Sequence, residues 1–261
     1  FRLIDEILYP FYRADPPLGD YYYMTDEGVY RMTIEVIVQN AEEAKRAERL
    51  GADRLELVAA ISEGGLTPSY GTIKTVFATV DIPVQVMIRP HSYHFNYTDM
   101  EWLAMQEDIQ TVINLGGEGI VIGALTKDNK IDEEILGRLF QAFPNLEVTF
   151  HRAIDETFDL IDAYKTLTKY PIKRILTSGG ADNCVNGMDT LKELEQLSRK
   201  MDGPIIMPGA GLTVDNIDQV HKHVQAKEYH FGKAVRRQGS FQEDFSEDMM
   251  QRLANWKSEK L

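Results

Sequence analysis

Four short runs carry charged side chains where a plain apolar strand would otherwise be read: TIEVIV (33–38), DRLELV (53–58), PVQVMIRP (83–90) and EVTFHR (147–152). Side chains alternate between faces along a strand, so each run divides into two sets. Ile34, Val36 and Val38, with Leu55 and Leu57, suit a face packed on helices. The opposite face carries Glu35, Glu56, Arg89 and His151. Charges of both signs on one strand face are costly to bury unless they are paired or used. One use is a polar site: carboxylates as general acid or base, His151 as a proton carrier, and Arg89 and Arg152 as clamps for an anionic substrate. The other is an ion-pair network that fills the interior.

Two glycine-rich turns offer a second kind of chemistry. TSGG (177–180) and PGAG (208–211) each follow a strand-like run, and closely spaced glycines let backbone N–H groups approach a ligand oxygen. Ser178, Gly179, Gly180, Gly209 and Gly211 are the anion-binding candidates. His91 and His94 have a spacing that suits a metal held from one loop, but their Tyr- and Asn-rich setting equally suits a substrate lid. His221 and His223 are two apart on a predicted helix, do not share a face, and read as solvated. Cys184 is a reactive thiol only if an activating charge lies beside it.

The elements that must position these groups follow a regular rhythm from residue 33 onward. Strand-like runs at 33–38, 53–58, 83–88, 119–123, 146–151, 173–177, 204–208 and 228–231 alternate with helical periods. The helices fit at 40–50, 70–79, 99–115, 131–142, 157–169, 188–200, 213–224 and 242–258, with start signals such as Asn40 followed by Glu43. Eight strand–helix units point to a (β/α)8 TIM barrel at 33–261, a single domain whose active groups sit at the C-terminal ends of the strands. A doubly wound sheet is the lesser fit, because VQNAEE after the first strand has no glycine for a nucleotide phosphate. Residues 1–32 differ in texture, with aromatic clusters and Pro16-Pro17, and are expected to be a short N-terminal extension ahead of a natural start at Met32. That extension reads as a docking or lid segment, or as an appendage packed on the surface or on a neighbouring subunit.

Composition bounds the function. Of 261 residues 43% are hydrophobic, which is ample for a core. The 41 acidic residues exceed the 28 basic ones, for a net charge of −13, which argues against a nucleic-acid or anionic-membrane partner. The N-terminus lacks the order of a secretory signal, and the single cysteine fits a reducing compartment, so a cytoplasmic protein is expected.

The runs GADRLELVAAISEGGLTPSYGTIK (51–74), IPVQVMIRP (82–90), VTFHRAID (148–155), RILTSGG (174–180) and the GAG turn at 209–211 resemble the CutC family, named as copper homeostasis proteins. The likeness is ordered along the chain from about Met32 to about Arg237. It implies a cytoplasmic TIM barrel, usually a homo-oligomer, assigned to copper binding and handling. The matching polar positions are Glu35, Glu56, Arg89, His151, Arg152 and Asp155, with Ser178, Gly179, Gly180 and Gly209 in the turns. The resemblance also implies cysteines at the ends of the first two strands, the natural soft ligands for Cu(I). Ile37 and Val58 stand there instead, so copper would have to use His151, methionines such as Met87 and Met207, or a site shared between subunits. The competing reading is an enzyme acting on a small anionic or phosphorylated metabolite through Glu and His acid–base chemistry. A barrel that has lost its activity and serves as a scaffold is the third.

Overall fold

All eight strand runs form strands, because each offers an apolar face, mostly β-branched and aliphatic and aromatic in 228–231, for a helix layer to cover. In chain order they are β1 (Thr33–Val38), β2 (Arg54–Leu57), β3 (Val84–Met87), β4 (Gly119–Ile122), β5 (Glu147–Phe150), β6 (Arg174–Thr177), β7 (Ile205–Pro208) and β8 (Glu228–Phe231). They pair in parallel in the order β8-β1-β2-β3-β4-β5-β6-β7, and β7 lies beside β8 where the ring closes. The structure, a computed structural model, describes residues 32–260 together with the backbone of 23–25 and 28–30. Those two earlier segments, Tyr23–Thr25 and Gly28–Tyr30, pair antiparallel. The docking or lid role expected of residues 1–32 otherwise lies outside the described residues.

The helices are α1 (Ala41–Arg49), α2 (Tyr70–Phe77), α3 (Asp99–Asn114), α4 (Glu133–Ala142), α5 (Leu160–Leu167), α6 (Met188–Met201), α7 (Ile217–Val224) and α8 (Glu247–Glu259). Asn40 caps α1 by accepting from the Glu43 N–H, and Glu43 returns the bond to the Gln39 N–H. Thr98 and Glu101 close a full capping box on α3. Three starts fall three or more residues later than the sequence suggests. A 3-10 turn over Arg152–Glu156 precedes α5, the Thr213 carbonyl takes the first N–H of α7, and Ser246 caps α8. None of the described helices is long and apolar enough to cross a membrane.

The core has two parts. The larger lies between strands and helices and contains Val36, Leu55, Val86, Ile120, Val148, Ile175, Ile206 and Tyr229. The smaller, inside the barrel, is Ile37, Val58, Met87 and Val121. Alongside Met207 and Leu176, the lower strands also point buried polar side chains inward, namely Glu35, Arg54, Gln85, Thr149, Arg174 and Glu228. These form a continuous chain of partners. Glu147 accepts from Gln85 Nε2 at 2.9 Å and pairs with Arg174 Nη2 at 2.7 Å. Arg174 Nε donates to Glu228 at 3.0 Å, and Arg54 bridges Glu228 to Glu35. The lower barrel is therefore filled by the structural ion-pair network weighed above, with each charge matched.

Candidate functional site

Above that network the C-terminal ends of the strands enclose a cavity of about 1080 Å3. Glu56, Arg89, His151, Arg152 and Asp155 line it, with Gly180 and Gly211 from the turns. Glu35 sits one layer lower. The β1–β2 register sets Glu35 beside Arg54 and Ile37 beside Glu56, so Ile37 takes the level that the sequence reading gave to Glu35. Ser178, Gly179 and Gly209 lie behind the cavity wall, where a side chain on Gly179 or Gly209 would collide with Gly187 O or Leu176 Cδ1, each at 2.4 Å.

At the cavity base stands a residue that the sequence reading passed over. His230 on β8 places Nδ1 2.7 Å from Glu35 Oε1 and Nε2 3.6 Å from Glu56 Oε2. The period-2 pattern of EYHF carried the signal, since Tyr229 and Phe231 pack outward and Glu228 and His230 must then point in. Burial disfavours ionisation of Glu35, yet Arg54 and then His230 outweigh it and hold this carboxyl well below the usual range. Glu56 has no such cation in contact among the described residues, and burial pushes it up to about 7 against the opposing pull of His230. Burial alone would lower His230, but Glu56 and Glu35 raise it. The cluster is thus a slot for positive charge held between two carboxylates.

Donor atoms of Glu35, Glu56 and His230 all lie within 4.8 Å of one another, and all three residues are buried. One imidazole and two carboxylates suit a divalent first-row metal. Soft ligands for Cu(I) are not assembled in the same way. Ile37 and Val58 form an apolar wall with Met87, and Met207 Sδ accepts from Arg54 Nη2 at 3.2 Å. His151 caps the 3-10 turn, with Nδ1 accepting the Ala153 N–H at 3.1 Å. Its proton therefore lies on Nε2, which leaves no lone pair for a metal. Burial, followed by the nearby Arg89 charge, lowers His151 to about 3, so the ring is neutral in the working pH range.

The HRAID and TSGG runs interlock. Asp155 receives the Thr177 hydroxyl, the Ser178 N–H and hydroxyl, and the Gly180 N–H. Arg152 Nε donates to the same carboxylate at 2.9 Å, and its Nη2 reaches Ser178 Oγ at 3.1 Å. The nest that the glycines suggested for an external anion holds an internal one. The Gly209 N–H goes to Thr177 O.

The remaining candidates resolve simply. His91 Nε2 lies 2.9 Å from Glu101, and its ring packs on Tyr93, His94 and Tyr97. His221 is not solvated as expected. Its Nδ1 lies 2.7 Å from the Tyr229 hydroxyl and its ring packs on Trp256, because α8 folds back over α7. Cys184 is buried, which pushes its thiol up to about 11 and leaves little thiolate.

A parallel eight-stranded barrel with its polar cavity at the strand C-termini defines a TIM-barrel protein. Phosphoribosylanthranilate isomerase from Pyrococcus furiosus shares this fold, at a TM-score of 0.57 and 14% identity over 88% of this chain and all of that one. The CutC family pattern matches residues 32–235, and the chain belongs to that family. It is 41% identical over 198 residues to the human copper homeostasis protein cutC homolog, covering 76% of this chain and 71% of that protein. A family protein CutC from Klebsiella pneumoniae is 42% identical over 184 residues, 70% of this chain and 73% of that one. The crystal structure of the putative copper homeostasis protein CutC from Streptococcus agalactiae superposes at a TM-score of 0.71, with 30% identity over 77% of this chain and 98% of that one.

Proposed function

We propose that the chain binds and handles copper in the cytoplasm, holding it as Cu(II) between Glu35, Glu56 and His230. The observation that carries this reading is the convergence of those three buried donors at the base of an accessible cavity. Copper is suggested by the names of the relatives, and Cu(II) by the hard donor set that stands in for the missing thiolates. Divalent affinity of such a nitrogen and oxygen site peaks at copper along the first-row series. Glu35 keeps one oxygen on Arg54, so its other oxygen and His230 are the atoms to be reorganised. The cytoplasmic part rests on the lone buried cysteine.

Calorimetric titration of the metal-free full chain with Cu(II), and separately with Cu(I) against a chelator, tests this. One equivalent of Cu(II) is expected, weakened by about tenfold or more in His230→Ala and Glu56→Gln and unchanged in Met87→Leu. A wild-type chain that holds no Cu(II), or a His230→Ala chain that holds it equally well, would end the reading.

A further inference from the structure

Arg89 is buried at 8% exposure, and its guanidinium has no carboxylate partner among the described residues. Among the described residues its Nη atoms reach only carbonyls, those of Glu63 at 3.4 Å, Gly65 at 3.5 Å and Ser92 at 3.2 Å, and Nε has no partner. Phe95 covers one face, 4.6 Å from ring centroid to Cζ. A buried cation satisfied only by long bonds to neutral oxygens pays most of its desolvation cost without an opposing charge. Every other strongly buried cation of the barrel interior, Arg54 and Arg174 included, has a carboxylate on it.

The protein builds this arrangement deliberately. Gly64 and Gly65 of the GGLTPS run have φ of 83° and 91°, and a side chain on Gly64 would meet Arg89 Nη1 at 3.0 Å. Thr67 Oγ1 accepts the Arg89 N–H at 2.9 Å, fixing the strand end from which the guanidinium projects. The most distinctive motif of the chain is therefore the seat of one unneutralised arginine.

In the lining of the same cavity His151, at 5% exposure, has Nε2 without a partner among the described residues. With Nδ1 accepting from Ala153, that atom is an N–H donor, and a neutral imidazole held at a helix start is a competent donor to a substrate oxygen. Gly123 leaves the room for it, since a side chain there would collide with His151 Cε1 at 2.2 Å. Phe95 packs on this ring as well, with centroids 4.9 Å apart.

We infer that the mouth cavity binds a small organic anion, a carboxylate or a phosphate ester, whose charge is met by Arg89 and one of whose oxygens accepts from His151 Nε2. Arg152 is already neutralised by Asp155 and is not part of this pair. The inference is independent of the copper reading, because neither Arg89 nor His151 is among the proposed metal ligands.

Inorganic phosphate and glycolate, titrated separately into the metal-free full chain in chelator, distinguish the two anion classes. The readouts are the heat of binding and the His151 Nε2 resonance in histidine-labelled protein. Saturation by either probe, with the Nε2 proton shifting downfield, is expected, and whichever binds identifies the class. Arg89→Met should weaken that probe by about tenfold or more, as loss of a charge-assisted contact does. His151→Phe should weaken it by a smaller factor, while the wild-type resonance shift reports the contact even where a variant folds poorly. Failure of both probes to bind at tens of millimolar, or binding by Arg89→Met within about twofold of wild type, overturns the inference.

Discussion

The floor and the mouth of this barrel are built from the same residue types and use them in opposite ways. On the floor, Arg54 and Arg174 each touch two carboxylates, and the chain of partners runs unbroken from Gln85 to Glu35. At the mouth, among the described residues, the Arg89 guanidinium hydrogen-bonds only to carbonyls, Glu56 has no cation nearer than His230 at 3.6 Å, and His151 leaves a donor unused. The difference teaches that burial of charge is not by itself a sign of function. A matched network is a filling for a barrel too polar to pack with aliphatics, whereas unmatched groups beside a cavity point to ligands.

The largest expected effect separates the two regions by stability. Arg54→Met leaves Glu35 and Glu228 buried without their shared cation and should cost about 3–5 kcal/mol, read by chemical denaturation. Arg89→Met should leave stability unchanged or raise it, since it removes a buried charge that nothing opposes. Equal losses in the two variants would erase the distinction.

A second effect is steric. Gly123→Ala places a methyl group against the His151 ring and 2.8 Å from Ala153 Cβ, and should cost about 1–3 kcal/mol in thermal or denaturant unfolding. Because it moves the ring from its cap position, it should also abolish the Nε2 response to an anion.

The third is a pH dependence that differs between the two carboxylates of one cluster. The folded pKa of Glu56 is raised to about 7 from 4.5, so its contribution to stability is fully present below pH 4.5 and is lost as pH rises through 7. Glu35 is held low, so its contribution is present above its unfolded pKa and is lost only in strong acid. Metal-free Glu56→Gln should therefore gain on wild type between pH 5 and pH 8, by on the order of 2 kcal/mol. A gain that stays flat across that range would show that Glu56 is ionised throughout.

The smallest effect concerns the nest. Ser178→Ala removes the hydroxyl shared by Asp155, Arg152 and the Ala181 carbonyl, and should cost about 1 kcal/mol without changing anion affinity. A large loss of anion binding in that variant would place the ligand on the glycine turn instead of on Arg89.

Much of this was legible in the residues. The eight strand–helix units and the split of each strand into a helix face and an interior face follow from period and β-branching alone. What was not legible depends on registers between strands. Whether Glu35 or Ile37 stands level with Glu56 is fixed by the β1–β2 stagger, and whether Glu228 meets Arg54 is fixed by how β8 closes onto the ring. The glycine turns announced an anion but could not say that Asp155, more than twenty residues upstream, would supply it. The unused nitrogen of His151 is visible only once the 3-10 turn after it shows which nitrogen accepts. His230 is readable in principle from the same four-residue run, since Tyr229 and Phe231 take the helix-facing side and leave His230 the interior one.

We propose that the slot between Glu35, Glu56 and His230 is where this barrel holds copper. Anomalous scattering at the copper edge, from crystals of the full chain grown with one equivalent of Cu(II), tests it most directly. A single strong peak within bonding distance of His230 and both carboxylates is the expected result. A peak elsewhere, at His91 and His94 for instance, or none above background, would contradict it.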